Sequence, residues 1–269
     1  MEENTQRHTF AVCAYKDSEY IEELLDSLAA QTERSEVYIA TSTPTERIQR
    51  IAAARSLPLH VNAVSAGIAS DWNYALSLAD TEYVTLAHQD DVYTKNFTKE
   101  TLAALDRTAN PILACTDYYE IRAGEKVSTN RNLEIKRKML RQLARFPSAR
   151  LVRRRILSVG CAISCPTVTL RRKRFPDFRF NTDFTNSMDW EAWLRLAREK
   201  GTFVYVPKLL MGHRIHEDSE TTRTISAGIR AREDLRILES CWPGPVARRI
   251  ARAYAKAEDS NIVEEESKK

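Results

Sequence analysis

The amino-acid sequence predicts an α/β protein with a mostly parallel, doubly wound central sheet, flanking helices and a helical C-terminal extension. Strand and helix signals alternate over the first third of the 269 residues in the order βαβαβαβ, which is typical of such sheets. Two adjacent aspartates, Asp90 and Asp91, follow the fourth apolar run. Because parallel sheets bind ligands just beyond the carboxyl ends of their strands, we expect this pair at a ligand site.

Four apolar runs rich in β-branched and aromatic residues predict the strands of the first half, at residues 9–14, 37–40, 59–62 and 83–87. The first helix carries apolar residues at the i, i+3, i+4, i+7 spacing of one helical face, with Asp17 or Ser18 as its N-cap. Thr43 followed by a proline predicts the start of the second helix. Gly67 and Ser70 open a third helix, which leads into the fourth strand.

After about residue 117 the alternation weakens, and the next forty residues are basic and predicted to be partly helical. Further strands are expected at residues 162–171, 203–206 and 209–215. A helix predicted over 189–200 turns Trp190 and Trp193 inward. The last part is predicted to be helical, with a break at Pro243-Gly244-Pro245 and a frayed acidic end over 264–269.

The composition argues against several classes of protein. The five cysteines are an odd number without CxxC spacing, which disfavours both a disulfide framework and a zinc site. No apolar stretch approaches the roughly 18 residues of a membrane-spanning helix, and the polar start of the chain lacks a secretory apolar region. The sequence therefore predicts a cytoplasmic protein with reduced thiols.

The net charge of +4 is concentrated in one stretch. Residues 136–155 contain nine lysines and arginines and no acid, interleaved with apolar residues such as Phe146 and Leu151. This pattern is typical of a surface that meets anionic lipid, an acidic carrier or nucleic acid, and equally of a solvated helix face. We expect the stretch to make peripheral contact with the inner face of an anionic membrane, and we expect no nucleic-acid partner.

The adjacent aspartates predict metal chemistry. Neighbouring carboxylates repel one another unless a cation neutralises them, and oxygen ligands suit Mg²⁺ or Mn²⁺ bound together with the phosphates of a substrate. The substrate would then be a nucleotide diphosphate. An Asp-Asp turn that merely closes a strand is the alternative interpretation.

Five short segments follow one another along the chain: the strand and turn at 11–17, Gly67-Ile68-Ala69-Ser70-Asp71-Trp72-Asn73, His88-Gln89-Asp90-Asp91, Met188-Asp189-Trp190, and His213-Arg214-Ile215-His216. Together they resemble the motifs of the family 2 glycosyltransferases, which have the GT-A fold, a Rossmann-like α/β architecture. The resemblance covers roughly residues 8 to 222. Each segment is weakly specific alone, and their order makes the joint signal strong.

The resemblance implies a role for each matching residue. Tyr15 would stack on the nucleotide base, and Asp189 would be the catalytic base. Asp91 and His216 would hold the Mn²⁺ or Mg²⁺ ion, with His213 as the competitor of His216. The remaining nucleotide-binding residues that the resemblance implies are Ala14, Asp17, Gly67, Asn73, Gln89 and Asp90.

The chain departs from the family pattern at several positions. His88 stands where many relatives carry an aspartate, and Met188 replaces the usual glutamate beside the catalytic aspartate. Asp71 and Trp72 replace a commoner Ala-Arg pair. Residues 40–43, Ala-Thr-Ser-Thr, lack the aspartate that in relatives accepts a hydrogen bond from uracil, which leaves the base of the donor open.

The activity that the resemblance implies is inverting transfer of a sugar from a nucleotide-diphosphate donor. The expected donor is a UDP-sugar, and the expected acceptor is a hydroxyl of a glycan or lipid-linked molecule in surface polysaccharide or glycoconjugate synthesis. Three regions are expected: a nucleotide-sugar-binding half at 1–117, an acceptor-binding and catalytic half at 118–222, and a helical extension at 223–269.

Two other functions are compatible with these residues. A metal-dependent nucleotidyltransferase would also use an α/β fold and paired carboxylates, although no glycine-rich phosphate loop follows the first strand. A nucleotide- or glycan-binding module that has lost catalysis is the non-enzymatic alternative. The substitutions at His88 and Met188 would permit it.

Overall fold

The computed structural model describes residues 6–64, 66–216 and 228–266, and it describes side chains up to residue 255. Of the acidic end that the sequence predicts to be frayed, residues 264–266 lie in the last helix and residues 267–269 fall outside the described residues.

The first half has the predicted alternation of strands and helices. Its elements are β1 (His8–Ala14), α1 (Ile21–Ala29), β2 (Glu36–Thr41), α2 (Glu46–Ala54), β3 (Leu59–Val61), α3 (Ile68–Ser77) and β4 (Tyr83–His88). Two predicted helix caps are wrong. Thr45, not Thr43, caps α2, because its side chain accepts the N–H of Ile48 at 3.2 Å. Helix α1 starts after Tyr20 without a side-chain cap.

The second half departs further from the prediction. Its elements are β5 (Val92–Tyr93), α4 (Phe97–Asp106), β6 (Pro111–Arg122), β7 (Glu125–Val127), α5 (Arg131–Arg145), α6 (Arg150–Leu157), β8 (Val168–Leu170), α7 (Met188–Leu196), β9 (Thr202–Ile215), α8 (Ile229–Cys241) and α9 (Gly244–Glu266). The strand predicted over 162–171 is only three residues long, because a single turn of 3-10 helix precedes it. The break predicted around Pro243 separates α8 from α9.

The two strands predicted at 203–206 and 209–215 are one strand, β9, which contains an irregularity. Thr116 of β6 pairs with Val206 and the next residue, Asp117, pairs with Leu209, so Pro207 and Lys208 are skipped in the register. Proline has no N–H to donate to a ladder, and a bulge accommodates it. The local break in the sequence pattern is therefore a bulge within one strand.

The described strands form one nine-stranded mixed sheet in the order β3-β2-β1-β4-β8-β6-β9-β5, with β7 paired to β6. The longer pairings, among β1, β2 and β4 and between β6 and β9, are parallel. Helices cover both faces: Ala11 of β1 packs into one apolar cluster, whereas Phe10 and Val12 pack into the other. The carboxyl ends of β1, β2 and β4 consequently meet at one edge of the sheet.

The basic stretch divides into an inward and an outward set. Arg153 is fully buried and donates to the carbonyls of Pro147, Glu199 and Gly201, with its guanidinium 4.8 Å from the ring centroid of Phe203. Lys136 and Arg137 also point inward. The other six cations are exposed: Lys138, Arg141, Arg145, Arg150, Arg154 and Arg155. Among the described residues, none of the helices has the length and apolar character needed to cross a membrane.

Candidate active site

A cleft of about 650 Å³ opens at the carboxyl ends of β1 and β4. Its walls come from the loops after these strands, the first turn of α3, the segment before β8 and the start of α7. Eight of the ten residues predicted for the site line this cleft: Ala14, Tyr15, Asp17, Gly67, Gln89, Asp90, Asp189 and His216. Asn73 and Asp91 are not among the lining residues.

Gln89 joins the ends of β1 and β4. Its amide oxygen accepts the N–H of Tyr15 at 3.0 Å, and its amide nitrogen donates to the Tyr15 carbonyl at 2.9 Å. The Tyr15 backbone is thereby fixed while its side chain remains 45% exposed at the cleft. Gln89 therefore positions the aromatic ring, and its own polar atoms are already engaged.

The first turn of α3 forms the opposite wall. Gly67 precedes the helix with φ +94°, in the region that favours glycine. Asn73, one turn further on, uses its amide to bind the Phe180 backbone, donating at 2.9 Å and accepting at 2.7 Å. Because both ends of this amide are occupied, Asn73 holds the segment around residue 180 instead of reaching the cleft.

His88, Asp90 and Asp91 form a candidate metal-binding group, whose ligand atoms all lie within 4.8 Å of one another. Asp91 is fully buried, and one of its oxygens, Oδ2, is without a hydrogen-bond partner, as is Nε2 of His88. Burial lowers the pKa of His88, which favours the neutral imidazole that ligates metals. The His88 ring stacks on Trp72, with centroids 4.9 Å apart. This donor set of one nitrogen and two carboxylates, with two unsatisfied buried atoms, fits a divalent ion.

Two further histidines contact the aspartates, one each. His216 Nε2 lies 3.0 Å from Asp90 Oδ2, and His213 Nδ1 lies 2.9 Å from Asp91 Oδ1. Burial lowers the pKa of His213, but the charge and hydrogen bond of Asp91 outweigh burial and raise it above the ordinary value. His213 at the end of β9 and His216 just after it thus orient one carboxylate each, and His88, which departs from the family pattern, completes the three-residue group.

Arg214 fixes the same loop from outside the cleft. Its backbone N–H donates to Asp91 Oδ1 at 3.1 Å, and its guanidinium donates to the Asp90 carbonyl at 2.9 Å. The guanidinium also pairs with Glu23 and lies 4.1 Å from the Tyr20 ring centroid. Arg214 therefore ties the aspartate loop to the start of α1.

Asp189 begins helix α7 and faces the cleft. Its Oδ1 accepts the N–H of Trp190 at 2.7 Å, and Cys161 Sγ lies 3.9 Å from its Oδ2. Burial raises the pKa of Asp189 to about 6, against the opposing effects of the Trp190 hydrogen bond and the nearby cations Arg230 and Lys136. A carboxylate with such a pKa is ionised at neutral pH and still basic enough to take a proton.

The start of α7 is anchored by α8. The Glu233 carboxylate accepts the backbone N–H groups of Thr185, Asn186 and Ser187, at 2.6, 2.9 and 2.8 Å. Asp234 accepts the Ser187 hydroxyl at 2.6 Å. The helical extension therefore holds the segment that positions Asp189, a role that the sequence analysis did not identify.

The sequence analysis also missed Lys136, which it placed in the surface patch. Lys136 lines the cleft, and its Nζ donates to the Tyr118 hydroxyl at 3.0 Å. The signal was present in helix α5, because Lys136 lies three residues after Leu133 and four before Leu140, both of which are buried. Its position on the apolar face predicts an inward side chain.

The sequence profile of glycosyl transferase family 2 matches residues 9–175, which is more than half of the chain. The mixed α/β sheet with a cleft at its carboxyl edge is a Rossmann-like fold of the GT-A class. The chain is a member of glycosyl transferase family 2, and the prediction of this family and of the GT-A fold is confirmed.

Solved structures with a similar fold include S. aureus TarS and a mannosyltransferase. S. aureus TarS 1–349 in complex with UDP-GlcNAc has a TM-score of 0.65 and 18% identity, with 91% of this chain and 70% of that chain covered. The mannosyltransferase PcManGT from Pyrobaculum calidifontis, in complex with GDP-Man and Mn²⁺, has a TM-score of 0.61 and 17% identity, with 94% and 75% covered. At these identities the likeness defines the fold alone. A comparison with curated proteins gives no match.

Proposed function

We propose that this protein is an inverting, metal-dependent glycosyltransferase that moves a sugar from a UDP-sugar to a hydroxyl group. The observation that carries the proposal is one cleft lined both by His88 and Asp90 of the candidate metal-binding group and by Asp189, a half-buried carboxylate of raised pKa. An inverting transfer needs these two functions, one for the leaving diphosphate and one for the acceptor proton.

Asp189 is the proposed base. It would take the proton of the acceptor hydroxyl as that oxygen attacks the anomeric carbon from the face opposite the nucleotide, so that the C–O bond to the diphosphate breaks as the new one forms. The backbone contacts of Glu233 and the hydrogen bond from the Trp190 N–H keep the Asp189 carboxylate in place. No covalent enzyme intermediate is required.

His88, Asp90 and Asp91 are the residues proposed to hold the divalent ion, with His216 and His213 orienting the carboxylates. A bound Mn²⁺ or Mg²⁺ supplies Lewis-acid stabilisation of the negative charge on the leaving diphosphate. Lys136 adds a fixed positive charge in the same cleft, where it can contact phosphate oxygens.

The donor and acceptor follow from the lining of the cleft. Tyr15, Asp17 and Gly67 are proposed to bind the nucleoside part of the donor, which UDP-GlcNAc and GDP-Man represent in the two similar structures. The side near Asp189 is lined by small polar groups and the Tyr254 ring, a combination suited to sugar hydroxyls and sugar faces. We propose a glycan or lipid-linked acceptor, in surface polysaccharide or glycoconjugate synthesis.

A thermal-shift screen of nucleotide sugars with and without Mn²⁺ tests the donor class. A ligand at 100 times its Kd stabilises the fold by about 2.7 kcal/mol, so the preferred donor is expected to raise the Tm only when the metal is present. The same mixtures are then assayed for released products. Slow release of free sugar supports a glycosyltransferase, whereas pyrophosphate released from a nucleoside triphosphate would indicate a nucleotidyltransferase, and binding without either product would indicate an inactive module.

The exposed part of the basic stretch is proposed to contact anionic membrane. The turn between α5 and α6 presents Phe146 and the start of α6 presents Leu151, which are 56% and 78% exposed, among the six outward cations. Lys136, Arg137 and Arg153 are not available to this surface because they point inward. Juxtamembrane cations contribute about 1 kcal/mol each at an anionic surface, and exposed apolar side chains add to this by entering the lipid interface.

Sedimentation with liposomes tests this membrane contact. The protein is expected to bind liposomes containing anionic lipid at low salt and to be released at high salt, because salt screens the attraction. Replacement of Arg150 and Arg154 by Gln should weaken binding, whereas Arg50→Gln, at an exposed arginine of α2 outside the stretch, should not. Equal binding to neutral liposomes, or none to anionic ones, would return the stretch to a solvated helix surface.

A further inference from the structure

Asp71 brings a carboxylate to the end of β2, where the strand itself has none. Residues 40–43 are Ala, Thr, Ser and Thr, and the Ser42 hydroxyl donates to Asp71 Oδ2 at 2.7 Å. From the end of β3, the Asn62 amide donates to Asp71 Oδ1 at 2.9 Å. Two separate segments thus fix this half-buried carboxylate, and it lines the cleft.

The carboxylate retains capacity to bind a ligand. Each of its oxygens has two lone-pair directions and accepts one of the two hydrogen bonds described, so acceptor positions remain toward the cleft. A carboxylate offers acceptors only, and it therefore favours a ligand group that carries an N–H or O–H. The two fixed donors leave little freedom for the side chain to turn away.

Asp71 lies where the base of a bound nucleotide is expected. In the sheet, the end of β1 lies between the end of β2 and the end of β4. The chain continues from the end of β4 into the candidate metal-binding group. Adjacent strands are about 4.8 Å apart, so Asp71 lies on the order of two strand spacings, about 10 Å, from that group. With the diphosphate at the metal-binding group, a ribose would span this gap, and the exposed Tyr15 ring lies at the end of the intervening strand.

We propose that Asp71 selects the nucleobase of the donor by accepting a hydrogen bond from a ring N–H. Uracil, thymine and guanine carry such a group, whereas cytosine and adenine present an unprotonated ring nitrogen at the equivalent edge. The inference rests on the proposed function, because it requires that the cleft bind a nucleotide. It adds the residue that determines which bases are accepted, and it favours the UDP-sugar over a CDP-sugar.

Asp71→Asn gives the sharpest test, since the amide keeps the shape but places an N–H at one of the two oxygen positions. Calorimetry in the presence of Mn²⁺ is expected to show that the wild-type protein prefers UDP to CDP at least about ten-fold, in line with a hydrogen bond to a charged group. In Asp71→Asn the ratio should fall to near one or reverse, because the amide can donate to N3 of cytosine. TDP, GDP and ADP extend the series: the first two should follow UDP and the last should follow CDP.

Three controls locate the effect. Inorganic pyrophosphate with Mn²⁺ should bind Asp71→Asn as it binds the wild type, because it contains no base. Asp80→Asn, at an exposed aspartate just after α3, should leave the UDP to CDP ratio unchanged. Ser42→Ala removes one donor to Asp71 and keeps the carboxylate, so it should lower the ratio only in part, and it serves if Asp71→Asn does not fold.

The outcomes separate this inference from the proposed function. An unchanged UDP to CDP ratio in Asp71→Asn, or in Ser42→Ala if that is the variant that folds, would overturn the role of Asp71 while leaving the transferase intact. A reversed ratio in Asp17→Asn instead would move the role to the exposed Asp17, which lines the same end of the cleft. Failure of the wild-type protein to bind any nucleoside diphosphate would overturn both.

Discussion

Asp189→Asn is expected to lower turnover by about 10²-fold or more while leaving donor affinity nearly unchanged. General-base catalysis typically contributes 10²- to 10⁴-fold, and the amide cannot accept the proton of the acceptor hydroxyl. The wild-type rate should fall as the pH drops through about 6, where Asp189 becomes protonated. Steady-state kinetics over pH, with donor binding measured separately, would show both effects.

The fold of this variant can be checked independently. Because burial raises the pKa of Asp189, the folded state disfavours its ionised form, and Asp189 destabilises the wild-type protein above about pH 6. Asp189→Asn should therefore be at least as stable as the wild type at pH 7 to 8, and the advantage should disappear as the pH falls toward the ordinary carboxyl pKa. A lower turnover in a variant of equal or greater stability cannot be attributed to unfolding.

Glu191→Gln is the matched control on the same helix. Glu191 lies two residues after Asp189, pairs with Arg195 at 3.5 Å and is not among the residues that line the cleft. This variant should keep its turnover. Wild-type turnover in Asp189→Asn together with a large loss in Glu191→Gln would reassign the base.

Asp91→Asn is expected to abolish most of the metal-dependent binding of nucleoside diphosphate. The amide oxygen can still accept from His213 and from the Arg214 N–H, whereas the Oδ2 position, which has no hydrogen-bond partner, becomes an N–H that repels a cation. Loss of even an outer partner of a metal ligand costs about 10- to 100-fold in affinity, so loss of a direct ligand should cost at least this. Calorimetry of UDP with Mn²⁺ and with EDTA measures the effect.

Asp80→Asn is again the control, because it removes a negative charge away from the cleft. This variant should bind UDP with Mn²⁺ as the wild type does. The Tm of Asp91→Asn without metal should stay close to that of the wild type, because the two hydrogen bonds to Oδ1 are kept. If the variant binds UDP as tightly as the wild type and responds equally to Mn²⁺, Asp91 has no role in metal binding and the ion would depend on His88 and Asp90.

The first half of the fold could be predicted because each element there carries its own local signal. Strands β1 to β4 are continuous apolar runs, and the helices between them show a single apolar face, so both type and order follow from neighbouring residues. The position of Asp90 and Asp91 at the sheet edge follows in turn from the strand that precedes them. Strand β6 lacks a continuous local signal, because its second half contains several polar residues. Its pairing with β8 and β9 specifies the strand.

The sequence by itself determined the fold class and the family, since these depend on local patterns. Only the tertiary structure decided the partners of the side chains: Asp71 with Ser42 and Asn62, Asn73 with Phe180, and His213 and His216 with one aspartate each. It also turned Lys136 into the cleft and buried Arg153. The physical reason is that a polar side chain is fixed by hydrogen bonds to whatever the fold brings within about 3 Å, and those groups lie far away in the chain.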